Sequence, residues 1–340
     1  YSERSFTYYH CLNCLYCLSV IFSDMKTKLL ILGSTGFIGK NLSIYFSNKK
    51  KYSITAVYNK TKPIKIPNIK YIKGDLTKKK FVENIVKNFD LVIQAAATTS
   101  GSNDIVNRPY IHVTDNIIMN SHILRSCFRN NIRHFIFFSC TTMYHSSKKP
   151  LKENDYKPEK KLENKYFGVA NTKLYIEKMC EFFSKISKCK FTVIRHSNIY
   201  GQYDKFDLLK SHVFGASIRK ILTAKKNIKV WGTGKEERDL LHIDDLMNFV
   251  EKSFLKQKSN FEIFNCGYGS SISISNLIKK MIKISNKKIN IIYDKTKPTI
   301  PTYLSVDCNK AYKLLKWKKQ ISLDNGILMT LNWVKKNIKL

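Results

Sequence analysis

The sequence predicts an α/β fold, a doubly wound parallel sheet with a smaller C-terminal lobe, and three observations lead there. The stretch Lys28 to Lys40 (KLLILGSTGFIGK) reads as a buried apolar strand, Leu29 to Leu32, running into a glycine-rich turn and then a helix from near Phe37. Strand-like and helix-like segments alternate five times up to Phe138, the pattern of a parallel sheet whose crossovers are helices. From Asn198 onward the alternation loosens, and aromatic, glycine and charged residues mix, the texture of a smaller substrate lobe.

The first element carries the most information. Glycines at 33, 36 and 39 remove side chains where the turn is tight, where backbone approaches a pyrophosphate, and where the helix packs on the strand. The helix N-terminus then offers free N–H groups to phosphates. A glycine triplet alone is weak, but this one has the strand before it and the helix after it that a dinucleotide site requires. Gly33, Thr35, Gly36, Phe37, Ile38 and Gly39 are therefore assigned to the cofactor cradle, in preference to an ordinary tight turn.

Tyr52 to Tyr58 alternates as a second strand. An acidic residue at its end would suit the ribose hydroxyls of NAD, whereas Asn59, Lys60 and Lys62 suit a 2′-phosphate, so NADP is the expected cofactor and NAD the alternative. A third strand, Ile69 to Ile72, ends at Gly74, Asp75 and Leu76, and a helix is expected from about Thr77 to Asn88. The strand Asp90 to Gln94 enters Ala95, Ala96 and Ala97, small residues against which a flat cofactor can lie; ordinary strand-to-helix packing is the bland alternative. A long helix, Tyr110 to Asn130, leads to the strand Phe135 to Phe138. Ser139 to Tyr144 (SCTTMY) then places hydroxyls and a thiol at a strand's carboxyl end, where they either do chemistry or satisfy turn backbone. After a charged loop through Pro158 come a helix, Val169 to Lys185, and a strand, Lys190 to Arg195.

Composition narrows the function classes. The 340 residues are long enough for a large core, and 43% hydrophobic content fits a soluble globular protein. The net charge of +35 suggests polyanion binding, but the lysines are scattered over nearly every segment, with short runs only at Lys49 to Lys51 and Lys78 to Lys80. We read them as solvated surface that favours a phosphorylated small substrate and expect no nucleic-acid partner. Residues 1–24 stand apart. Cys11, Cys14 and Cys17 have no fourth zinc ligand in view, and the apolar run ending at Phe22 is too short to span a membrane and lacks a clear cleavage site. This segment is expected to be a non-native or disordered extension before Met25. The other six cysteines are dispersed, as in a reduced, cytoplasmic protein, and no metal site is expected.

Taken together, Gly33-x-x-Gly36-x-x-Gly39, Gly74-Asp75-Leu76, the alanines at 95 to 97, Asn116, and Lys173 with Glu177 resemble the extended short-chain dehydrogenase/reductases. Asn198-Ile-Tyr-Gly201 followed by Ser211-His212-Val213, Val230-Trp-Gly-Thr-Gly234 with Arg238 and His242-Ile-Asp-Asp245, and Asp294-Lys-Thr-Lys-Pro298 with Asp307 and Trp317 narrow the likeness to the fucose synthase subfamily. The resemblance covers almost everything after Met25. It implies a Rossmann dinucleotide domain over 25–197, a mainly substrate-binding lobe over 198–340 with possible return of segments to the first domain, a nucleotide-sugar substrate, and a homodimer through a helical pair.

It also implies a mechanism. Such enzymes use a Tyr and a Lys four residues apart on a helix, on one face and about 6 Å apart along the axis, with a Ser or Thr nearby; in the subfamily a Cys and a His also move protons beside the sugar carbonyl. Lys173 takes the lysine position, where it is expected to bind the cofactor as well as to take part in catalysis, but Val169 stands where the tyrosine belongs, and Tyr166 lies about 10 Å away if the helix is continuous. Tyr166 would fold back into the site if the helix started later. Cys140 holds the Ser or Thr position, Thr142 the reactive Cys position, and His212 matches the acid.

Three readings stay open: a rearranged catalytic set with Cys140 as base or thiolate, His212 as acid and Tyr166 or a water serving the carbonyl, beside Thr142 and Lys173; an epimerisation or a related step without a full reductase cycle; or a protein that binds a dinucleotide or nucleotide sugar without catalysis. Asn198, Trp231, Arg238 and Arg219 are the expected substrate contacts, by nucleotide stacking at Trp231 and phosphate pairing at the arginines. Pro301, Thr302 and Tyr303 stand where relatives carry a basic residue, leaving the base of the nucleotide open. His242 is expected to cap or pack around the helix at Ile243, and His196 to be a satisfied core residue.

Overall fold

The computed structural model describes residues 26–98, 108–160, 164–208, 211–296 and 302–339. The extension of residues 1–24, and Lys297, Pro298 and Pro301, lie outside the described residues.

A seven-stranded, wholly parallel sheet forms the centre, in the order β10-β6-β5-β4-β1-β2-β3. Its strands are β1 (Thr27–Leu32), β2 (Tyr52–Tyr58), β3 (Ile69–Lys73), β4 (Leu91–Gln94), β5 (His134–Cys140), β6 (Lys190–His196) and β10 (Phe261–Cys266). A parallel sheet is covered on both faces, so its central strands are apolar throughout; Leu29, Leu30, Ile31 and Leu32 are all fully buried. Helices α1 (Phe37–Ser47), α6 (Ile243–Lys256) and α8 (Asn309–Leu315) cover one face. Helices α2 (Lys79–Ile85), α3 (Thr114–Arg129) and α4 (Phe167–Ile186) cover the other. Strand order reverses between β1 and β4, which places the ligand crevice of such a sheet beyond their carboxyl ends.

The rest of the chain after Asn198 builds a separate apolar cluster. It contains α5 (Val213–Thr223), α7 (Ile274–Ser285) and α9 (Leu323–Asn337). With them lie a three-stranded sheet of β7 (Asn198–Tyr200), β9 (Glu237–His242) and β11 (Ser271–Ser273), and a parallel pair of β8 (Asn227–Trp231) and β12 (Asn290–Asp294). From this half of the chain β10, α6 and α8 run back onto the large sheet, where Phe249, Phe264 and Trp317 join its core.

Three helix boundaries differ from the sequence reading. The helix expected from Thr77 begins at Lys79, because Asp75 takes the backbone N–H of Thr77 (2.9 Å) and its hydroxyl (2.8 Å) in a side-chain turn, and it ends at Ile85 ahead of Asn88 at φ 64°. The long helix begins at Thr114 after a 3₁₀ turn that opens on Pro109. The helix carrying Lys173 begins at Phe167, two residues earlier than expected. Among the described residues, no helix is long and apolar enough to cross a membrane.

Glu251 on α6 ties that helix to α1 and β2, accepting from Lys49 (2.7 Å) and Tyr45 (2.7 Å) and pairing with Lys51 (3.0 Å). Burial pushes its carboxyl up, but these donors prevail and hold it at about 2. A depressed carboxyl stabilises the fold above its unfolded value, and that stability is lost as pH falls towards the folded value. Acid unfolding followed by circular dichroism is expected to show Glu251→Gln losing less stability than the unchanged protein between about pH 4.5 and about pH 2.

Candidate active site

The glycine turn is shaped as a cradle. Gly33 has φ +82°, and a Cβ there would lie 2.5 Å from Cα of Ala96, so only glycine lets the turn meet the end of β4. A Cβ on Gly39 would clash with the carbonyl of Gly33, so the first turn of α1 rests directly on the loop. Gly36 caps α1 without a side chain, which leaves the first-turn N–H groups of Phe37, Ile38 and Gly39 as donors. Thr35 is half-buried beside them. On the facing side, Ala95 N–H donates to the Leu32 carbonyl (3.0 Å) and Ala96 N–H to the Gln94 side chain (3.1 Å), while Asn116 pairs with both backbone groups of Thr98 (3.0 and 3.1 Å). The segment 95–98, Ala97 included, is thereby pinned at the carboxyl end of β4.

Asn59 and Lys60 are exposed just past β2. The Thr77 backbone N–H, with help from the Lys78 and Lys60 charges, holds the Asp75 carboxyl below the usual carboxylate value. Leu76 is buried in the core on one face of the sheet.

The second group gathers at the carboxyl end of β5. Cys140 Sγ lies 2.8 Å from Thr142 Oγ1. Lys173 Nζ donates to the Phe138 carbonyl (2.8 Å) and sits 4.7 Å from the centre of the Phe137 ring. Burial lowers its pKa, against the opposing pull of Cys140 and Glu177. One turn further along α4, Glu177 accepts from the Ser139 hydroxyl (2.5 Å) and from Arg195 (2.6 Å). Arg195 also donates to the Tyr144 hydroxyl (2.9 Å), which in turn donates to Asn265 (2.8 Å), so a buried polar network stands directly behind Cys140 and Lys173. Cys140 is a free thiol.

His212 is exposed at the N-terminus of α5, but the protein crowded around it, and then the Lys205 charge, keep its imidazole below the ordinary histidine value. Because α4 already begins at Phe167, Tyr166 sits in the 3₁₀ turn Asn164–Tyr166, and it acts electrostatically on Arg238. Arg238 Nη1 also donates to the Glu237 carbonyl (2.8 Å) and to the Thr302 hydroxyl.

Asn198 donates to the Asp239 carbonyl (3.1 Å), Trp231 is 49% exposed at the end of β8, and Arg219 is half-buried on α5. His242 caps α6 by accepting the Asp244 N–H (3.3 Å), as the sequence suggests.

A sequence model described as the NAD dependent epimerase/dehydratase family matches residues 29–267, more than half of the chain. The chain belongs to that family. Among curated proteins it is 28% identical to GDP-L-colitose synthase of Yersinia pseudotuberculosis, over 89% of this chain and 96% of that protein. It is 29% identical to GDP-L-fucose synthase of Sinorhizobium fredii, over 75% of this chain and 82% of that protein. Its fold is similar to that of UDP-glucose 4-epimerase from Thermotoga maritima, solved with UDP-glucose, with a TM-score of 0.80, 22% identity, and 92% of this chain and 100% of that chain covered. The epimerase/dehydratase family is dependent on NAD, and the cradle here fits a dinucleotide because a Cβ at Gly33 or Gly39 would fill it.

Gly39→Ala is expected to weaken binding of the reduced dinucleotide at least about tenfold, or ~1.4 kcal/mol, in calorimetry, since the turn must shift to admit the methyl group.

His196, read from the sequence as a satisfied core residue, is hydrogen-bonded through Nδ1 to the Ser197 carbonyl (2.8 Å). It is half-buried at the end of β6, and Lys173 and His212 both act on it electrostatically. Strands β5 and β6 end together, which pairs Cys140 with His196, a juxtaposition set by strand register and not marked in the local sequence.

Proposed function

We propose that this protein is an NAD(P)-dependent epimerase/reductase acting on a keto-deoxy nucleotide sugar, similar to GDP-L-fucose synthase and serving surface polysaccharide precursor synthesis in the cytoplasm. The observation that carries the reading is the cluster of Cys140, Thr142 and Lys173 at the carboxyl end of β5, in a fold whose glycine turn is shaped for a dinucleotide. A dinucleotide held by the turn at Gly33, Gly36 and Gly39 would supply hydride-transfer chemistry toward the sugar.

In this reading the Lys173 cation stabilises negative charge as it grows on the sugar's carbonyl oxygen. Cys140 and Thr142 form a hydrogen-bonded pair able to orient that oxygen or relay a proton, and His212 supplies the acid. Tyr166 and Arg238, already interacting, serve the sugar-diphosphate side, with Trp231 stacking on the base and Asn198 and Arg219 as further contacts. The 25–197 and 198–340 segments then act as cofactor and substrate domains. Asn59, Lys60 and the lysine-rich rim around them support NADP, and a nucleotide sugar bound through phosphates suits the net charge of +35.

The test is incubation with NADPH or NADH and a panel of GDP-, dTDP-, UDP- and CDP-linked 4-keto sugars in deuterated water. Turnover or deuterium uptake is expected with one class, faster with NADPH; neither with any sugar overturns the reading.

Val169 in the place of the tyrosine favours a second reading, a non-catalytic dinucleotide or nucleotide-sugar binding protein acting as sensor or scaffold. Calorimetry showing tight ligand binding, with no turnover across the whole panel, favours that reading.

A homodimer through α3 and α4 is the proposed assembly. Tyr175, Phe182 and Ile186 lie along one face of α4, exposed together with Ile118 of α3. Phe182→Lys is expected to convert dimer to monomer in sedimentation equilibrium.

A further inference from the structure

His196 has the placement and the ring chemistry of an acid–base group. It is the last residue of β6, and in the parallel register it is the direct neighbour of Cys140 on β5 and of Cys266 on β10. Register partners on adjacent strands project to the same face of a sheet. The ring also meets Phe138 edge-on, 6.1 Å between centroids, which fixes its plane. Nδ1 lies 2.8 Å from the Ser197 carbonyl oxygen. A carbonyl only accepts, so Nδ1 carries the hydrogen, and the lone pair of the neutral ring is on Nε2. Burial first, then Lys173 and His212, drive the ring down to about 4 against the pull of the Ser197 carbonyl, so it is neutral at physiological pH. The charged and titratable groups around it are Lys173 of α4, Cys140 of β5, Cys266 of β10, and His212 at the start of α5.

We propose that His196 is the base of this site: its Nε2 removes the proton from the carbon beside the sugar carbonyl, and His212 returns a proton. This rests on the keto-sugar reading above and deepens it. The C–H bond breaks, its electron pair moves into the carbonyl to give an enolate, and the proton forms an N–H bond on Nε2. The enolate carbon then takes a proton from the protonated form of His212, which draws it from water, and water takes the proton from His196, so both rings return to their starting state. No oxidant or reductant is consumed, so the step is separate from hydride transfer. It also gives the site a proton carrier that does not depend on a tyrosine at position 169.

The test uses the full-length protein. His196→Asn keeps an N–H for the Ser197 carbonyl and removes Nε2. With a 4-keto nucleotide sugar in deuterated water and no reduced cofactor, the unchanged protein is expected to exchange deuterium into the carbon beside the carbonyl. His196→Asn is expected to exchange about 10²–10⁴-fold more slowly, with the nucleotide-sugar dissociation constant unchanged in calorimetry. Exchange that survives in His196→Asn overturns this proposal and leaves the keto-sugar reading standing. No exchange by the unchanged protein with any sugar of the panel overturns this proposal, and the keto-sugar reading falls with it only where turnover with reduced cofactor is absent as well. A readout that needs no turnover is ¹⁵N NMR of histidine-labelled protein at neutral pH. A neutral His196 ring protonated on Nδ1 is expected, and an imidazolium or an Nε2–H tautomer overturns the assignment even if the variant fails to fold.

Discussion

Lys173→Met is expected to lower turnover of the keto sugar by about 10²–10⁴-fold while leaving dinucleotide affinity within about threefold, or ~0.7 kcal/mol, of the unchanged protein. Methionine keeps the length and apolar character of the stem, so its packing over Phe137 survives and only the ammonium is lost. That ammonium is expensive to hold where it is. Burial lowers its pKa, and what compensates is its hydrogen bond to the Phe138 carbonyl and its attraction to Cys140 and Glu177. A cation kept at such cost beside a thiol at the carboxyl end of a central strand has its use in stabilising charge that grows during a reaction. Steady-state kinetics paired with calorimetry separates the outcomes: a fall in turnover with binding intact agrees with this role, whereas unchanged turnover removes Lys173 from the chemistry.

The second large effect is on stability. Arg195→Met is expected to destabilise the protein by about 3–5 kcal/mol in chemical denaturation. Arg195 and Glu177 are 5% and 3% exposed at their side chains, and their bond is 2.6 Å. Removing the arginine leaves the Glu177 carboxylate buried with the Ser139 hydroxyl as its remaining hydrogen-bond donor among those described here. The double change Arg195→Met with Glu177→Gln is expected to recover a good part of the loss, because the uncompensated charge is gone. A double variant no more stable than the single one would show that packing around Arg195, rather than charge, carries the effect. Glu177 is one turn from Lys173, and Ser139 precedes Cys140, so the same pair braces both sides of the candidate site.

How far the site could be read from the chain depends on how local each feature is. The dinucleotide cradle was fully legible, because a left-handed φ at Gly33 and a backbone contact at Gly39 are demands that only one residue type meets. The strands of the large sheet were legible for a similar reason, since burial on both faces writes itself as an unbroken apolar run such as Leu29 to Leu32. Lys173 and Glu177, four apart on one helix, needed no tertiary information beyond the helix itself.

Tyr166, His196 and the buried network were not legible, and the cause is the same in each case. The electrostatic effect of Tyr166 on Arg238 of β9 joins segments far apart in the chain, with Tyr166 just ahead of the start of α4 at Phe167. His196 stands beside Cys140 because β5 and β6 pair in one register and not another. Strand β10 lies beside β6 although it follows the whole first part of the lobe in sequence. Backbone conformation is a local property and leaves a local mark in residue type. Which side chains share a pocket is set by strand register and helix packing between distant segments, and those free energies are summed over many contacts that no single stretch of the chain records.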